Sequence, residues 1–285
     1  MKWYAITLLP ANRTLSADEL DGICAELIEL GALGTTVERP PEITCYLQGD
    51  ETAVEVFLAK AEQCACTVQG TKELSEGSWT GACPDVWEPI HAGNLIVVPV
   101  ESPQDPRPVP AGALKIIPGL GFGTGHHATT RMVLTELSAL ADREQRKNHS
   151  IFDLGTGSGI LAIAAAKLFE VPVEAIDIEE GAILNACDNI ALNDVARLVC
   201  ASTTPIQDVV GSFSIILANL YGEVLVQLAD HVTRVAAPGA TAIVSGITEL
   251  VWDQVYKAYC HERAWRLTHE TSESGWVCAV FERSS

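Results

Sequence analysis

The chain has 285 residues, 48% hydrophobic and 19% charged, a balance that supplies a sizeable core and excludes wholesale disorder. Lys and Arg number 18 against 37 Asp and Glu, and the net charge of -19 repels nucleic-acid backbones and anionic membrane surfaces while favouring basic partners. The nine cysteines are odd in number and form no Cys-x-x-Cys pair, which argues against a disulfide framework or a zinc ribbon and for reduced, mostly buried thiols.

The length suits one α/β domain beside a smaller unit. Residues 1–74 read as that smaller unit. Trp3 to Leu9 predicts a short apolar strand. Ser16 and Glu19 have the spacing of a capping box. Leu20, Ile23, Leu27, Ile28 and Leu30 give the helical face that follows, ended by Gly31 and Gly34. Thr35 to Glu38 and Ile43 to Leu47 predict two strands joined through Pro40-Pro41. Val54, Phe57 and Leu58 mark a second helix, and Cys66 to Val68 a last strand. The order β-α-β-β-α-β is the ferredoxin-like α+β pattern. This segment holds five basic and twelve acidic residues, a difference of -7, which weakens an RNA-binding reading.

Residues 75–92 carry Gly and Pro without periodicity and read as a linker; Pro103 to Pro110 reads as a surface loop. From 93 to 285 strand and helix alternate. Strands are predicted at Ile151 to Leu154, Val173 to Ile176, Phe213 to Ala218 and Thr241 to Ser245, the last entered through a turn at Pro238-Gly239. Helices are predicted at Ile160 to Phe169, Ile183 to Leu192, Val224 to Val235 and Leu250 to Tyr259. Trp265 to His269 and Trp276 to Glu282 close the chain as strands, one of them antiparallel because no helix separates them. Such alternation means a mainly parallel sheet covered by helices on both faces.

The segment IFDLGTGSGILAIAAAK is the strongest local signal. A buried strand ends at Asp153, and Gly155, Gly157 and Gly159 make a turn that lets a ligand approach the backbone beside a helix N-terminus. Nicotinamide and flavin enzymes use G-x-G-x-x-G to receive a pyrophosphate. Here the spacing is G-x-G-x-G with an acid just before it, which suits the cationic sulfonium and ammonium of S-adenosyl-L-methionine. Asp177 ends the next strand, 22 positions beyond Gly155, where a carboxylate can accept bonds from both ribose hydroxyls. Glu179 and Glu180 read as solvated charges at a helix start.

Asn219, in SIILANLYGEVL, follows an apolar strand at the sheet edge where ligands bind in open α/β folds, and either holds the cofactor or nucleophile or caps the next helix. PGLGFGTGHHATTR places Phe122 in a glycine-rich loop able to fold over a ligand, with Thr129 or Thr130 as helix cap or cofactor contact. His126-His127 invites a metal reading, but no third ligand lies at diagnostic spacing, and no metal is expected.

Along nearly its whole length the chain resembles the PrmA-type methyltransferases, which modify protein eleven of the large ribosomal subunit. The resemblance rests on KWYAITLLPANRTLSADEL and ELGALGTTVE at the start, EPIHAGNLIVVP, FGTGHHATT, DLGTGSGILAIAA, AIDIEEGAILNACDNIALN, ILANLYGEVL, APGATAIVSGI and the closing GWVCAVFE, in that family's order. It implies a Rossmann-like S-adenosylmethionine-dependent methyltransferase fold in 93–285 behind a ferredoxin-like substrate-recognition domain in 1–74. Cofactor contacts carry over to Thr130, Gly155, Asp177 and Asn219, with Phe122 and Thr124 in the covering loop. Three positions depart from the family's pattern: His126 and Ala128 replace the Thr and Pro of Thr-His-Pro-Thr-Thr, and Ile117 replaces an Asp. A further departure turns the Asn-Ile-Leu-Ala segment into Asn219, Leu220, Tyr221 and Gly222, and all these changes are expected where the acceptor amine approaches.

The implied activity is methyl transfer to amines of that ribosomal protein, lysine side chains or the N-terminal amine. Neutralising a lysine of pKa about 10.4 at pH 7 costs roughly 4–5 kcal/mol, and an α-amino group near 8 only about 1–2 kcal/mol. Burial beside a sulfonium lowers either pKa, so no dedicated base is required and Asn219 is the residue expected to orient the amine. Rival readings keep the enzyme but change the acceptor to another basic protein or a small amine, or make the chain a non-catalytic cofactor-binding module. A nicotinamide oxidoreductase fits the glycine spacing poorly. The start of the chain lacks the apolar core and cleavage site of a signal peptide, and no apolar run reaches the roughly 20 residues that span a bilayer, so a cytoplasmic location is expected.

Overall fold

A computed structural model describes residues 2–15, 20, 22–24, 26, 27, 30–32, 34–61, 66–74, 88–119, 125–144 and 149–284. The chain divides into two compact units, Met1–Asp85 and Val86–Ser285.

The first unit is a four-stranded antiparallel sheet of β1 (Lys2–Pro10), β2 (Gly34–Arg39), β3 (Glu42–Gly49) and β4 (Cys66–Leu74), in the order β2-β3-β1-β4. Helical residues around Leu20 to Leu27 and helix α1 (Glu51–Ala61) complete the ferredoxin-like pattern. Period-two alternation in β1 sends Tyr4, Ile6 and Leu8 to one face, where they pack with Val54, Phe57 and Ala61 of α1 and with Leu20 and Leu27. Asp50 starts α1 by accepting the Ala53 N–H at 2.9 Å, which satisfies one free donor of the first turn. The capping box expected at Ser16 and Glu19 lies outside the described residues. β4 runs six residues further than the apolar pattern predicts, to Leu74, because it pairs with β1 along its length and leaves polar side chains in water.

The second unit is built on a seven-stranded sheet of β8 (Ile151–Leu154), β9 (Val173–Ile176), β10 (Val199–Ser202), β11 (Phe213–Asn219), β12 (Ala236–Thr248), β13 (Trp265–Glu273) and β14 (Trp276–Arg283). Their order is β10-β9-β8-β11-β12-β14-β13. β8 to β12 are parallel, and β14 lies antiparallel between β12 and β13. Strands buried on both faces need continuous apolar runs, and all four residues of β8 are buried. One face is covered by α2 (Ala128–Arg143), α3 (Ile160–Phe169) and α4 (Glu180–Leu192) through Leu134, Leu137, Ile163 and Ile190. The other is covered by α5 (Gly222–Val235) and α6 (Glu249–Tyr256) through Leu225, Val232 and Val255. The chain winds away in opposite directions from β8 and β11, so the topological switch point falls at the C-terminal ends of these two strands. Among the described residues no helix is long and apolar enough to cross a membrane.

The sequence reading placed no strand at β10, and other details depart from it too. Ile90–Ala92, assigned to the linker by composition, forms β5, which pairs with β6 (Leu95–Pro99) and through it with β7 (Leu114–Ile116) in a three-stranded sheet. Pro238-Gly239 lies inside β12 as an irregularity: Ala236 pairs with Phe213 and Thr241 with Ile215, so the residues between are looped out. Helix α6 stops at Tyr256 and passes into a π-helical turn, Lys257–His261.

Candidate cofactor and acceptor site

The site is assembled where β8, β9 and β11 end. After β8 the backbone takes left-handed conformations at Gly155 (φ 73°), Gly157 (φ 54°) and Gly159 (φ 82°), which L residues enter only with strain. The N–H groups of Gly155 and Thr156 both reach the Ile176 carbonyl at 2.9 Å, tying the turn to the end of β9. Gly159 then stands at the N-cap position of α3.

Asp153 is fully buried. Its Oδ2 accepts from Thr156 Oγ1 at 2.7 Å and from the Ala162 N–H at 3.1 Å, whereas Oδ1 is buried without a partner. Burial pushes this carboxyl up to about 7, against the pull of those two hydrogen bonds and with a smaller push from Asp177. An unmatched, buried anionic oxygen under a glycine turn is what a cationic ligand group needs, so the residues fit the expected cofactor. Asp177 accepts from the Gly157 N–H through Oδ2 at 2.9 Å and from the Glu179 N–H through Oδ1 at 3.1 Å. Its carboxylate thus braces the turn and keeps lone pairs for hydroxyl donors. Ile178, next to it, is 88% exposed. Glu179 and Glu180 are exposed at the start of α4.

Asn219 ends β11. Its Nδ2 donates to Thr130 Oγ1 at 3.2 Å, and its Oδ1 is buried without a partner. It does not cap α5: the N-cap position is Tyr221, which makes no side-chain capping bond. The next residue, Leu220, lies against the turn, since a Cβ on Gly155 would meet Leu220 Cδ2 at 2.4 Å. The glycine turn and the Asn219 segment are therefore in contact, and Thr130, 0% exposed in the first turn of α2, joins them. The cap of α2 is His127, whose Nδ1 lies 2.8 Å from Thr129 Oγ1 and accepts from the Thr129 N–H. Its ring sits edge-on to Trp276, centroids 4.9 Å apart. Burial, followed by the Arg131 guanidinium, lowers this imidazole to about 4, with Glu273 opposing. Among the described residues no group of His, Cys, Asp or Glu is placed to hold a metal ion.

Phe122 and Thr124 lie outside the described residues. The departures at 117 and 128 are both packed against apolar neighbours. Ala128 is buried as the first residue of α2, and Ile117 packs half-buried beside Val98, Val100 and Ala113. His126 contributes its carbonyl to the Arg131 guanidinium. Sequence reasoning also missed a ladder of amides, Asn185 and Asn189 on α4 and Asn193 at its C-cap, which grips the backbone of Lys115 and Ile117. The four-residue spacing of these asparagines, one per helical turn on one face, was the available signal.

The family model described as ribosomal protein L11 methyltransferase (PrmA) matches residues 16–284. A ribosomal protein L11 methyltransferase from Pelobacter propionicus is 32% identical over 280 residues, covering 93% of this chain and 90% of the relative. One from Geotalea uraniireducens is 34% identical over 286 residues, with the same two coverages of 93% and 90%. Among solved structures, the ribosomal protein L11 methylase from Lactobacillus delbrueckii subsp. bulgaricus superposes with a TM-score of 0.60 at 28% identity, covering 70% of this chain and all of that one (100%).

Proposed function

This chain belongs to the PrmA family of ribosomal protein L11 methyltransferases, and from that premise we propose that it methylates amines of ribosomal protein L11, at lysine side chains or the N-terminal amine, with Asn219 orienting the acceptor. It is an S-adenosylmethionine-dependent enzyme. The bound cofactor supplies an electrophilic methyl group on a sulfonium. Asp153 Oδ1 is assigned to its ammonium end, the glycine turn to its backbone-facing side, Asp177 to the ribose hydroxyls and Ile178 to a face of the base.

The observation that carries the acceptor assignment is the buried, unpartnered Oδ1 of Asn219. Thr130 holds the amide NH₂, so the carbonyl oxygen is fixed in direction before any substrate arrives. A neutral acceptor oxygen binds one N–H of an amine and leaves the nitrogen lone pair free for attack. It does not stabilise the ammonium form as strongly as a carboxylate would, which favours the reactive neutral amine. The amine of a basic protein is drawn to a chain of charge -19, and the encounter weakens with salt. A cytoplasmic location follows from this substrate.

The test is incubation of the purified protein with ribosomal proteins and labelled S-adenosylmethionine, read by mass spectrometry beside Asp177→Ala and Asn219→Ala. Label on L11, lost in both variants, is expected. Label on another protein alone overturns the substrate assignment, and full activity of Asn219→Ala overturns the role of Asn219.

A further inference from the structure

Asn189 sits in the last turn of α4 with 0% exposure, and its carboxamide joins two segments 41 residues apart in sequence. Oδ1 accepts the Ile117 N–H at 2.7 Å. One Nδ2 hydrogen is directed to the Ile117 carbonyl at 3.2 Å, the other to the Ser158 carbonyl at 2.9 Å. Ile117 follows β7 and begins the approach to the glycine-rich segment; Ser158 lies between Gly157 and Gly159 in the cofactor turn. The side chain thus takes up the Ile117 N–H, shares the Ile117 carbonyl with Asn185 and, with the same amide, fixes the direction of the Ser158 carbonyl.

That second bond matters because both groups of the peptide after Ser158 are held by bonds within the protein. Its N–H, on Gly159, is committed to Thr156 O at 2.8 Å. Its carbonyl is committed to Asn189. Ser158 precedes it and Gly159 follows it, and on the glycine side rotation costs little sterically. Removing the Asn189 donor would take this bond from a buried carbonyl, a loss that the turn can relieve by flipping the peptide. The flip would turn the N–H and carbonyl away from the arrangement that receives the cofactor.

We propose that Asn189 is a positioning residue of the methyl-transfer site, setting the affinity for S-adenosylmethionine through the Ser158 carbonyl without touching the cofactor. The proposal rests on the assignment of the cofactor to this turn. Asn193 supplies an internal comparison. It lies one helical turn further on, is also buried, and makes three equivalent bonds, to the Lys115 N–H at 3.0 Å, the Lys115 carbonyl at 2.6 Å and the Asn189 carbonyl at 2.9 Å. It has the same chemistry and grips the same strand, but it makes no bond to the turn.

The experiment measures binding of S-adenosylhomocysteine by titration calorimetry, with thermal midpoints, for Asn189→Ala, Asn193→Ala and Asp177→Ala in the full chain. Both asparagine variants lose stability. Only Asn189→Ala is expected to weaken binding, by tenfold or more, with Asn193→Ala within twofold of the parent. Asn189→Asp keeps the volume and the acceptor for Ile117 but, when ionised, places a carboxylate against two carbonyls. It is expected to weaken binding likewise at pH 8 and serves if the alanine variant does not fold. Equal loss in the Asn189 and Asn193 variants reduces Asn189 to a stabilising residue and overturns the proposal, as does unchanged binding in both Asn189 variants. If Asp177→Ala also binds normally, the assignment of the cofactor to the turn has failed instead.

Discussion

Thr130 Oγ1 accepts the Asn219 amide at 3.2 Å, linking the first turn of α2 to the end of β11 across 89 residues of sequence. Family resemblance assigns Thr130 to the cofactor, whereas the geometry assigns its hydroxyl to Asn219. Thr130→Val keeps the shape and removes the acceptor. It should lower kcat by tenfold or more while S-adenosylhomocysteine affinity stays within twofold, at a stability cost of about 1 kcal/mol for the lost bond. Steady-state kinetics beside calorimetry decide the matter. Weakened cofactor binding with unchanged kcat would return Thr130 to the cofactor.

Asp153 makes cofactor binding depend on pH. Its carboxyl is raised to about 7 in the free protein, and a cation beside Oδ1 favours ionisation. Binding below pH 7 therefore releases a proton, and affinity should rise by up to roughly tenfold per pH unit as pH climbs towards 7. Calorimetry at pH 6 in buffers of different ionisation enthalpy counts the proton; a count of zero would remove Asp153 from the site. The stability of the free protein runs the other way. A raised carboxyl contributes its stability below its unfolded value of about 3.9 and loses it as pH rises through about 7.

Gly155→Ala tests the contact between turn and Asn219 segment. The left-handed backbone costs about 1–2 kcal/mol with a Cβ present, and the clash with Leu220 adds a further ~1–3 kcal/mol. Adding Leu220→Ala should restore the packing share and leave the backbone share. Unfolding in denaturant reads both. A double variant no more stable than Gly155→Ala would mean that Leu220 yields freely and the packing share is absent.

His127 is a helix cap with a lowered pKa. His127→Ala should cost about 1 kcal/mol, as loss of a capping acceptor does, and activity of the parent should be indifferent to chelators. Because its folded value is depressed to about 4, the imidazole contributes stability above its unfolded value of about 6.5, and this contribution is lost as pH falls towards 4. Acid unfolding of His127→Ala should lack that component. Inhibition by a chelator, reversed by metal, would contradict the capping role.

Much of the second unit was legible because its strands are short, apolar runs punctuated by glycine. Ile151–Leu154, Ile160–Phe169 and Val173–Ile176 appear where the pattern places them. β5, β6, β7 and β10 were not read, since three- to five-residue strands carry too little periodicity to stand out from the loops beside them. Within the site, Asp177 and Asn219 could be named because strand ends in parallel sheets face ligands. Asn189 could not, because its meaning lies in which carbonyls meet it, and hydrogen bonds between distant segments leave no local trace. The packing of Ile117 and Ala128 was hidden for a related reason: a departure from a family pattern does not reveal which way its side chain points.

The placement of β14 constrains how the second unit comes together. Among the described residues β13 hydrogen-bonds to the sheet only through β14, yet β14 comes later in the chain. Five parallel strands can assemble progressively as they emerge, but β13 must wait for its successor, and the sheet is finished by the insertion of the β13–β14 hairpin. Completion is thus a late, long-range event in a growing polypeptide, and a chain stopped before Trp276 would present the open edge of β12 to any neighbouring strand.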